Sequence, residues 1–313
     1  EIDKQRIITS TEALKLKEVP KRLLVIGGGI IGLELGSVYS RLGSEVQVVE
    51  YLDCLIPSMD GSLRKEMLRT LKKQGIKFFL SHAVQEVKSS QNKVLISALN
   101  NKEEKVEFEA DYCLVAVGRH PYTEGLNLEA AGLKVDERGR VPVDENLQTT
   151  VQGIYAIGDV VKGAMLAHKA EEEGVFVAET MAGEKPHMNY RIIPSVLYTW
   201  PEAAGVGYTE EELISEERDY KSGSFPFRAL GRARAAMETD GLVKILADPV
   251  TDEILGIHMM GARVADLIAE AVVALEFRAS AEDLARISHA HPTFAEAVKE
   301  AALDATAKRP LHL

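Results

Sequence analysis

The stretch GGGIIG at residues 27–32 constrains the fold of this chain more than any other feature. It follows the apolar run Arg22–Ile26 and precedes apolar residues at helical spacing, which are Leu35, Val38, Tyr39 and Leu42. Gly43 can end that helix, and residues 46–50 form a second apolar run. This order predicts a strand, a helix and a second strand parallel to the first.

The glycines of this stretch have the spacing of a dinucleotide-binding turn. Gly27 permits the tight turn, Gly29 lets a pyrophosphate approach the backbone, and Gly32 lets the helix pack close to the strand. The helix N-terminus then offers free N–H groups and a positive dipole end to phosphates. A glycine-rich turn with a purely structural role is the alternative, but the complete strand–helix–strand context favours a dinucleotide site.

Glu50 ends the second predicted strand and bears on the choice of dinucleotide. A carboxylate at this position hydrogen-bonds the ribose hydroxyls of the adenosine half and repels a 2′-phosphate. No arginine lies close to it in the sequence. The pattern therefore predicts NAD rather than NADP.

A second motif, GIYAIGD at residues 153–159, reads as a short buried strand that ends in Gly-Asp. Asp159 would then lie at a strand tip and could accept a hydrogen bond from a ribose or another polyol. Gly-Asp is also common in ordinary turns, so the motif alone leaves both interpretations open.

A third motif, SHAHPTFAE, occupies residues 288–296. Pro292 suits the first position of a helix, which we expect over residues 292–307, so His291 would lie at its N-cap. Glu296, one turn on, can bond one ring nitrogen of His291, which fixes the tautomer and leaves the other nitrogen as a base. A capping histidine is the structural alternative. A metal site at His289 and His291 is less favoured because no third ligand is evident.

The remaining sequence predicts a helix over residues 62–73 and a three-stranded antiparallel meander at 84–88, 94–99 and 105–109. A buried strand follows at residues 111–117, and a helix follows Leu166. The C-terminal third predicts strands at 195–198, 242–246 and 254–259 and a helix at 264–277.

Charge and composition exclude several classes of protein. The formal net charge is −11 without a block of Lys and Arg, so no nucleic-acid partner is expected. No apolar run approaches the ~18–20 residues that span a bilayer, so no membrane association is expected. Cys54 and Cys113 lie far apart and read as two ordinary thiols, although a distant disulfide is possible.

Taken in order, several segments resemble the flavoprotein disulfide reductases over essentially the whole chain. They are RLLVIGGGIIGLELGSVYSRLGSEVQVVE, LVAVGRHPYTEGLNLE, GIYAIGDVVKGAMLAHKAEEEG, PSVLYTWPEAAGVGYTEEEL and SHAHPTFAEAVKEA. The HAHPT segment and Glu50 are most similar to the NAD-dependent members that oxidise dihydrolipoyl groups. The resemblance implies an enzyme that oxidises protein-bound dihydrolipoyl groups and reduces NAD⁺ through FAD and a redox disulfide.

The resemblance also implies roles for individual residues. His291 matches the catalytic base, and Glu296 matches the carboxylate that orients it. The residues that match cofactor-binding positions are Gly27, Gly28, Gly29, Ile30, Ile31, Gly32, Glu34, Glu50, Val84 and Gly118 for NAD, and Asp159, Met165, Leu166, Ala167 and His168 for FAD. No metal is implied.

The implied fold is α/β, with a Rossmann-type NAD-binding domain, a central flavin-contacting segment and an α+β dimerisation domain. We expect a remnant of a preceding FAD domain at residues 1–20, the NAD-binding domain at 21–121, the central segment at 122–189 and the interface domain at 190–313. The CxxxxC redox pair and FAD-binding glycine turn of the family are not found, so we expect a fragment that is inactive alone.

The resemblance implies a homodimer in which the base of one subunit serves the other's site. The implied partners are the lipoyl domains of 2-oxoacid dehydrogenase or glycine cleavage complexes, in a bacterial cytoplasm or a mitochondrial matrix. Two alternatives stay open: another NAD(P)H-dependent disulfide reductase or transhydrogenase, and a non-catalytic NAD-binding dimerisation module.

Overall fold

The computed structural model describes residues 2–90 and 92–312. The chain divides into two compact units. The first unit comprises the residues up to Val117 together with those from Pro194 onward, and the second comprises Gly118–Ile193. Within the described residues, no helix is both long and apolar enough to cross a membrane.

The N-terminal half of the first unit contains a five-stranded sheet, all of whose paired strands are parallel. In chain order its elements and those beside it are β1 (Ile7–Ile8), α1 (Ser10–Ala13), β2 (Arg22–Ile26), α2 (Ile30–Arg41), β3 (Glu45–Val49), α3 (Gly61–Lys73), β4 (Lys77–Phe79), β5 (Ala83–Ser89), β6 (Val94–Leu99), β7 (Lys105–Ala110) and β8 (Tyr112–Val115). The strand order is β1-β8-β2-β3-β4. The predicted parallel strand–helix–strand unit is confirmed in β2, α2 and β3.

Both faces of this sheet are covered, as parallel sheets require. Alternate residues of β2 belong to different cores: Leu23 and Val25 pack in one with α2 and α3, and Leu24 and Ile26 pack in the other. The second core is closed by β5, β6 and β7, which form an antiparallel meander. The meander therefore covers the face of the sheet opposite to α2 and α3.

The second unit has little regular structure apart from one long helix, α4 (Ala167–Met181). The predicted helix after Leu166 is confirmed, but the predicted buried strand in residues 153–159 is wrong. Tyr155 forms only an isolated bridge with Gln148, and Gly158–Val160 is a turn of 3₁₀ helix. A strand needs a paired neighbour along its length, and the described part of this segment is paired only around Tyr155, next to residues 147–149.

The C-terminal half of the first unit is an antiparallel sheet with helices beside it. Its elements are β9 (Ser195–Leu197), β10 (Glu202–Gly207), α5 (Glu210–Ser215), β11 (Lys221–Pro226), α6 (Gly231–Ala236), β12 (Leu242–Ala247), β13 (Ile254–Gly261), α7 (Val264–Glu276), α8 (Ala281–Arg286) and α9 (Glu296–Ala307). The strand order is β11-β12-β13-β10-β9. The fold is thus mixed α/β, as the sequence predicts.

A buried ion pair joins the two halves of the first unit. Asp60 caps the N-terminus of α3, and Lys244 lies on β12. The Lys244 Nζ donates to both Asp60 carboxylate oxygens at 2.9 Å and to Glu210 Oε2 at 2.8 Å. Because unpaired buried charges are unfavourable, this network fixes the two halves against each other.

Two further sequence predictions need correction. Val38 and Leu42 of the predicted apolar face are 47% and 58% exposed, because α2 turns Gly32, Leu33 and Gly36 toward the strands. The last helix begins at Glu296 rather than Pro292. Residues 291–295 form a turn instead, in which the Thr293 N–H donates to the Glu296 carboxylate at 2.8 Å, and the His291–Pro292 peptide is cis.

Candidate functional site

The glycine turn between β2 and α2 is too tightly packed for side chains at two of its positions. Gly27 has a φ of +108°, and a Cβ there would lie 2.3 Å from the Ala116 carbonyl oxygen. A Cβ on Gly32 would lie 2.2 Å from the Gly27 carbonyl oxygen and 3.0 Å from the Val25 side chain. Glycine is therefore required for the turn at Gly27 and for the close packing of α2 on β2 at Gly32.

The third glycine faces open space. Gly29 is the N-cap of α2, and a Cβ placed on it would meet nothing within 4 Å. Among the described residues no side chain caps this end of α2, and its first turn, which begins with Ile30 and Ile31, contains no acidic residue. The unpartnered N–H groups of a first helical turn attract anions. These residues fit the pyrophosphate of a dinucleotide.

Glu50 lies directly after β3 and reaches back to the glycine turn. Its Oε2 accepts the Gly28 N–H at 2.5 Å, and its Oε1 accepts the Leu52 N–H at 2.7 Å. Each carboxylate oxygen can accept two hydrogen bonds, so one position on each oxygen is left for a donor such as a ribose hydroxyl. The structure thus brings Glu50 and the turn together, as the sequence predicts.

The other positions predicted for NAD lie on different elements. Glu34 is on α2, where its Oε1 accepts the Tyr198 N–H at 2.8 Å and burial raises the pKa of its carboxyl. Val84, on β5, packs against the core that contains Ile26. Gly118 begins the second unit with a φ of +132°.

In the second unit, Asp159 lies in the 3₁₀ turn that follows Ile157. Its Oδ2 accepts from the Arg119 guanidinium at 2.6 Å, and its side chain is partly exposed. Leu166 is the N-cap of α4, which neither a capping side chain nor an acidic first turn covers. The first residues of α4 are Ala167 and His168, and Met165 directly precedes Leu166. The helix end is thus open to a negatively charged group.

A buried cluster that no sequence pattern marks holds this turn in place. Lys169 and Glu173 of α4 form an ion pair of 2.8 Å, and their side chains are 1% and 0% exposed. The Gly158 N–H donates to Glu173 Oε2 at 2.7 Å, and the Tyr190 hydroxyl donates to Glu173 Oε1 at 2.9 Å. Burial and the Glu173 carboxylate raise the pKa of Tyr190. The acidic run of α4 reads as solvated from sequence, so only the fold separates Glu173 from its exposed neighbours.

His291 and Glu296 are brought together in the first unit. The Nδ1 of His291 lies 2.8 Å from Glu296 Oε1, and their side chains are 66% and 10% exposed. Burial opposes the ionised Glu296, but the Thr293 N–H and the His291 ring keep the pKa of its carboxyl below the ordinary value. An ionised carboxylate only accepts hydrogen bonds, so Nδ1 is the donor, and in the neutral ring the lone pair lies on Nε2. The geometry supplies an oriented, accessible base.

A second histidine–carboxylate pair, whose carboxylate is also on α9, lies beside the first and has no signal in the sequence. Glu300 is buried, and it accepts from the Leu311 N–H and from His312 Nδ1, each at 2.6 Å. The His312 ring is parallel to that of His291, with an interplanar angle of 5° and centroids 6.3 Å apart. Glu296 and Glu300 are four residues apart, so their carboxylates project from the same face of α9.

The cysteines and histidines form no metal centre in the part of the chain that the structure describes. No group of three or more His, Cys, Asp or Glu residues could hold a metal ion there. Cys54 and Cys113 are both free thiols. Burial raises the pKa of the Cys113 thiol to about 12, so it is not a thiolate near neutral pH.

Family models match most of the chain. The model for pyridine nucleotide-disulphide oxidoreductases matches residues 1–174, and the dimerisation-domain model of the same family matches residues 193–302. The glycine turn and the N-terminus of α4 both lie within the first match. His291 and Glu296 lie within the second.

Relatives that are similar in sequence belong to the same family. Dihydrolipoyl dehydrogenase 2, mitochondrial, of Arabidopsis thaliana is 51% identical over 313 residues, which cover 100% of this chain and 62% of that protein. The dihydrolipoyl dehydrogenase of Cupriavidus necator is 50% identical, with 100% of this chain and 66% of that protein covered. The chain therefore spans less than two thirds of the length of these relatives.

Solved structures of similar fold include LpdA from Mycobacterium tuberculosis, with a TM-score of 0.88 and 26% identity. That match covers 96% of this chain and 65% of LpdA. The HOCl-induced flavoprotein disulfide reductase RclA from Escherichia coli has a TM-score of 0.87 and 27% identity, with 95% and 68% covered.

Proposed function

Because the chain belongs to the pyridine nucleotide-disulphide oxidoreductase family, we propose that the protein oxidises dihydrolipoyl groups with NAD⁺. In the net reaction the two thiols of the substrate become a disulfide, and NAD⁺ takes up two electrons and one proton to give NADH. The second proton is released. The names of the relatives that are about half identical to this chain support this choice of substrate.

The observation that carries the proposal is the exposed His291 ring held by Glu296. Oxidation of a thiol requires a group that accepts its proton, and an imidazole with one fixed nitrogen and one free nitrogen is suited to that task. His291 Nε2 would take the proton from a substrate thiol. Glu296 would keep the ring oriented and would stabilise its positive charge after Nε2 has taken up the thiol proton.

The glycine turn and Glu50 would bind NAD. The first N–H groups of α2, at Gly29, Ile30 and Ile31, would face the pyrophosphate, and Glu50 would accept from the adenosine ribose. Glu34, Val84 and Gly118 would line the remainder of the pocket. When bound, NAD⁺ supplies the hydride acceptor of the reaction. Gly27, Gly28 and Gly32 would shape the turn that admits it.

The second unit would contribute to binding of FAD, which is the electron carrier of the family. Asp159 would accept from the ribityl chain or lie beside the phosphates. The N-terminal turn of α4, with Met165, Leu166, Ala167 and His168, would lie beside the flavin ring. A helix N-terminus stabilises negative charge, and a reduced flavin carries such charge.

The dithiol–disulfide exchange would use a cysteine pair in the part of the family's length that this chain does not span. Neither cysteine of this chain suits that role, because Cys113 is a buried neutral thiol and Cys54 has no cysteine partner. Catalysis would therefore need the whole protein, in which the residues of this chain would bind the nucleotide and supply the base.

The whole protein would act as a homodimer, which the match of residues 193–302 to a dimerisation domain supports. We propose that the base of one subunit serves the other subunit's site, and that residues 190–313 form the interface. Residues 21–121 would form the NAD-binding domain, and residues 122–189 would form the central segment that contacts the flavin. The partners would be lipoyl domains of 2-oxoacid dehydrogenase or glycine cleavage complexes, in a bacterial cytoplasm or a mitochondrial matrix.

The test is a comparison of substrates with the full-length protein. We expect rapid NADH formation from dihydrolipoamide and NAD⁺, and little reduction of glutathione disulfide by NADPH. Preference for NADPH and another disulfide would favour a different reductase or a transhydrogenase. Flavin-loaded protein without dithiol oxidation would favour a non-catalytic nucleotide-binding module.

A further inference from the structure

His289 is buried and both of its ring nitrogens have partners, although the proposed reaction gives it no proton to carry. Its Nε2 lies 2.7 Å from Glu270 Oε1 on α7, and its side chain is only 6% exposed. Its Nδ1 lies 3.2 Å from the Ile287 carbonyl oxygen. Both ring nitrogens are therefore occupied, and the ring faces the protein rather than solvent.

These partners bear on the protonation state of the ring. A carbonyl oxygen and a carboxylate oxygen only accept hydrogen bonds, so the two contacts together require a donor at each nitrogen. The imidazolium form satisfies both contacts, and the hydrogen bond to Glu270 favours it by raising the pKa of the ring. Lys299 of α9 also lies near the ring, where its positive charge opposes protonation, and its Nζ donates to the same Ile287 carbonyl oxygen at 2.9 Å.

The segment between α8 and α9 is thus anchored at both ends. On one side, His289 ties it to α7 and Lys299 ties Ile287 to α9. On the other side, the Thr293 hydroxyl donates to the Ala290 carbonyl at 2.7 Å, and the Thr293 N–H donates to Glu296 at 2.8 Å. His291 lies between these anchors, with a mostly exposed ring.

We propose that His289 and Glu270 are positioning residues that fix the backbone segment from which His291 reaches its substrate. Glu296 orients the His291 ring and bonds the backbone that follows it at Thr293, but among the described contacts it does not hold the backbone that precedes His291. The clamp to α7 does so. This inference rests on the proposed function, because the segment has a catalytic purpose only if His291 is the base.

The physical reason for such a clamp is the strong dependence of proton transfer on position. A displacement of about 1 Å of a catalytic group can lower turnover about 100-fold. An exposed loop without regular structure has too few contacts to hold an imidazole to that precision. The hydrogen bond from the buried His289 ring to Glu270 on the packed helix α7 supplies the missing constraint.

The experiment uses the full-length protein and three variants: His289→Ala, Glu270→Gln and the double variant. Turnover is measured with dihydrolipoamide and NAD⁺, and separately with NADH and ferricyanide, an electron acceptor that needs no thiol proton. The matched control is Arg286→Gln, which removes an exposed ion pair to Glu282 of 2.6 Å on α8, just before the same segment.

We expect each single variant to lower kcat for dihydrolipoamide about tenfold, with KM changed less than about twofold. Ferricyanide turnover and the Arg286→Gln protein should be unaffected. The double variant should lose no more of its kcat for dihydrolipoamide than the more impaired single variant, because the two side chains act as one pair. Glu270→Gln keeps the size of the side chain, so the test does not depend on the His289→Ala protein folding.

Two results would overturn the inference. One is unchanged dihydrolipoamide turnover in both single variants. The other is an equal loss of both activities, which would show that the pair only supports the fold. His291→Ala separates this failure from failure of the proposed function: if it leaves dihydrolipoamide turnover intact, the function itself is wrong.

Discussion

The backbone N–H of Gly28 donates to Glu50 Oε2 at 2.5 Å, so the residue proposed to read the ribose also fixes the turn proposed to hold the phosphates. The two ends of the adenosine site are therefore coupled. A change at Glu50 should alter nucleotide selectivity and loosen the glycine turn together.

The chain should bind NADH more tightly than NADPH, because the Glu50 carboxylate repels a 2′-phosphate and bonds a free ribose hydroxyl. Fluorescence titration with both nucleotides measures the difference. Glu50→Ala should reduce the difference in affinity between NADH and NADPH and should weaken NADH binding. It removes both the acceptor for the ribose and the hydrogen bond from Gly28. Equal or tighter binding of NADPH by the unaltered chain would contradict the assignment.

Gly29→Ala should weaken NADH binding at least about tenfold while changing the free energy of unfolding by no more than about 1 kcal/mol. The added Cβ meets no protein atom within 4 Å but enters the space proposed for the pyrophosphate. The matched variant is Gly27→Ala, which should lower the free energy of unfolding by about 2 kcal/mol or more. Its φ of +108° and the nearby Ala116 carbonyl oxygen both disfavour a side chain there.

Both glycine variants can be compared by urea unfolding followed through the fluorescence of Trp200, the single tryptophan. Trp200 lies in the same unit, and its carbonyl accepts from the Gln74 side chain at 2.7 Å. If Gly29→Ala left NADH binding unchanged, the phosphates would not lie where we propose.

The sequence predicts the β2–α2–β3 unit closely because its signals are local. Alternation, glycine spacing and a carboxylate at a strand end are all visible within a few residues. The apolar face of α2 was less predictable. Val38 and Leu42 have helical spacing, but the close approach of Gly32 to β2 rotates the small residues inward and leaves both side chains exposed.

The sites held by distant partners could not be predicted. Nothing in the run EEE marks Glu173 as the buried member, because its partners include the Gly158 N–H and the Tyr190 hydroxyl. Likewise nothing local marks His289 as the buried histidine and His291 as the exposed one, because the carboxylate partner of His289 is Glu270 on α7. The expected start of the last helix at Pro292 failed because the Glu296 carboxylate binds the backbone of the preceding turn.

Lys169→Met should destabilise the second unit by about 3–5 kcal/mol, because it leaves the Glu173 carboxylate buried without its cation. Hydrogen–deuterium exchange of α4 peptides measures this loss locally. Glu172→Gln, at the exposed neighbouring position, is the matched control and should have little effect. Equal exchange in Lys169→Met and the unaltered chain would show that Glu173 is not held as a buried charge.

The contribution of His289 to stability should fall as the pH rises. The hydrogen bond to the Glu270 carboxylate raises the pKa of His289, and burial opposes this only in part. The stabilisation is therefore complete below the ordinary histidine value of about 6.5 and is lost as the pH rises through the higher folded-state value.

The measurement is the difference in unfolding free energy between the unaltered chain and His289→Ala as a function of pH. We expect this difference to be largest at low pH, while Glu270 remains ionised, and to shrink in alkaline solution. A difference that grew with pH would mean that the neutral ring is the bound form.

His291→Ala in the full-length protein tests the central claim most directly. Turnover with dihydrolipoamide and NAD⁺ should fall by about two orders of magnitude or more, the loss expected when a positioned base is removed. NADH affinity and ferricyanide turnover should stay within about twofold, because neither uses the thiol proton. Dihydrolipoamide turnover that stayed within a few-fold of the unaltered protein would contradict the assignment of His291 as the base, and with it the proposed function.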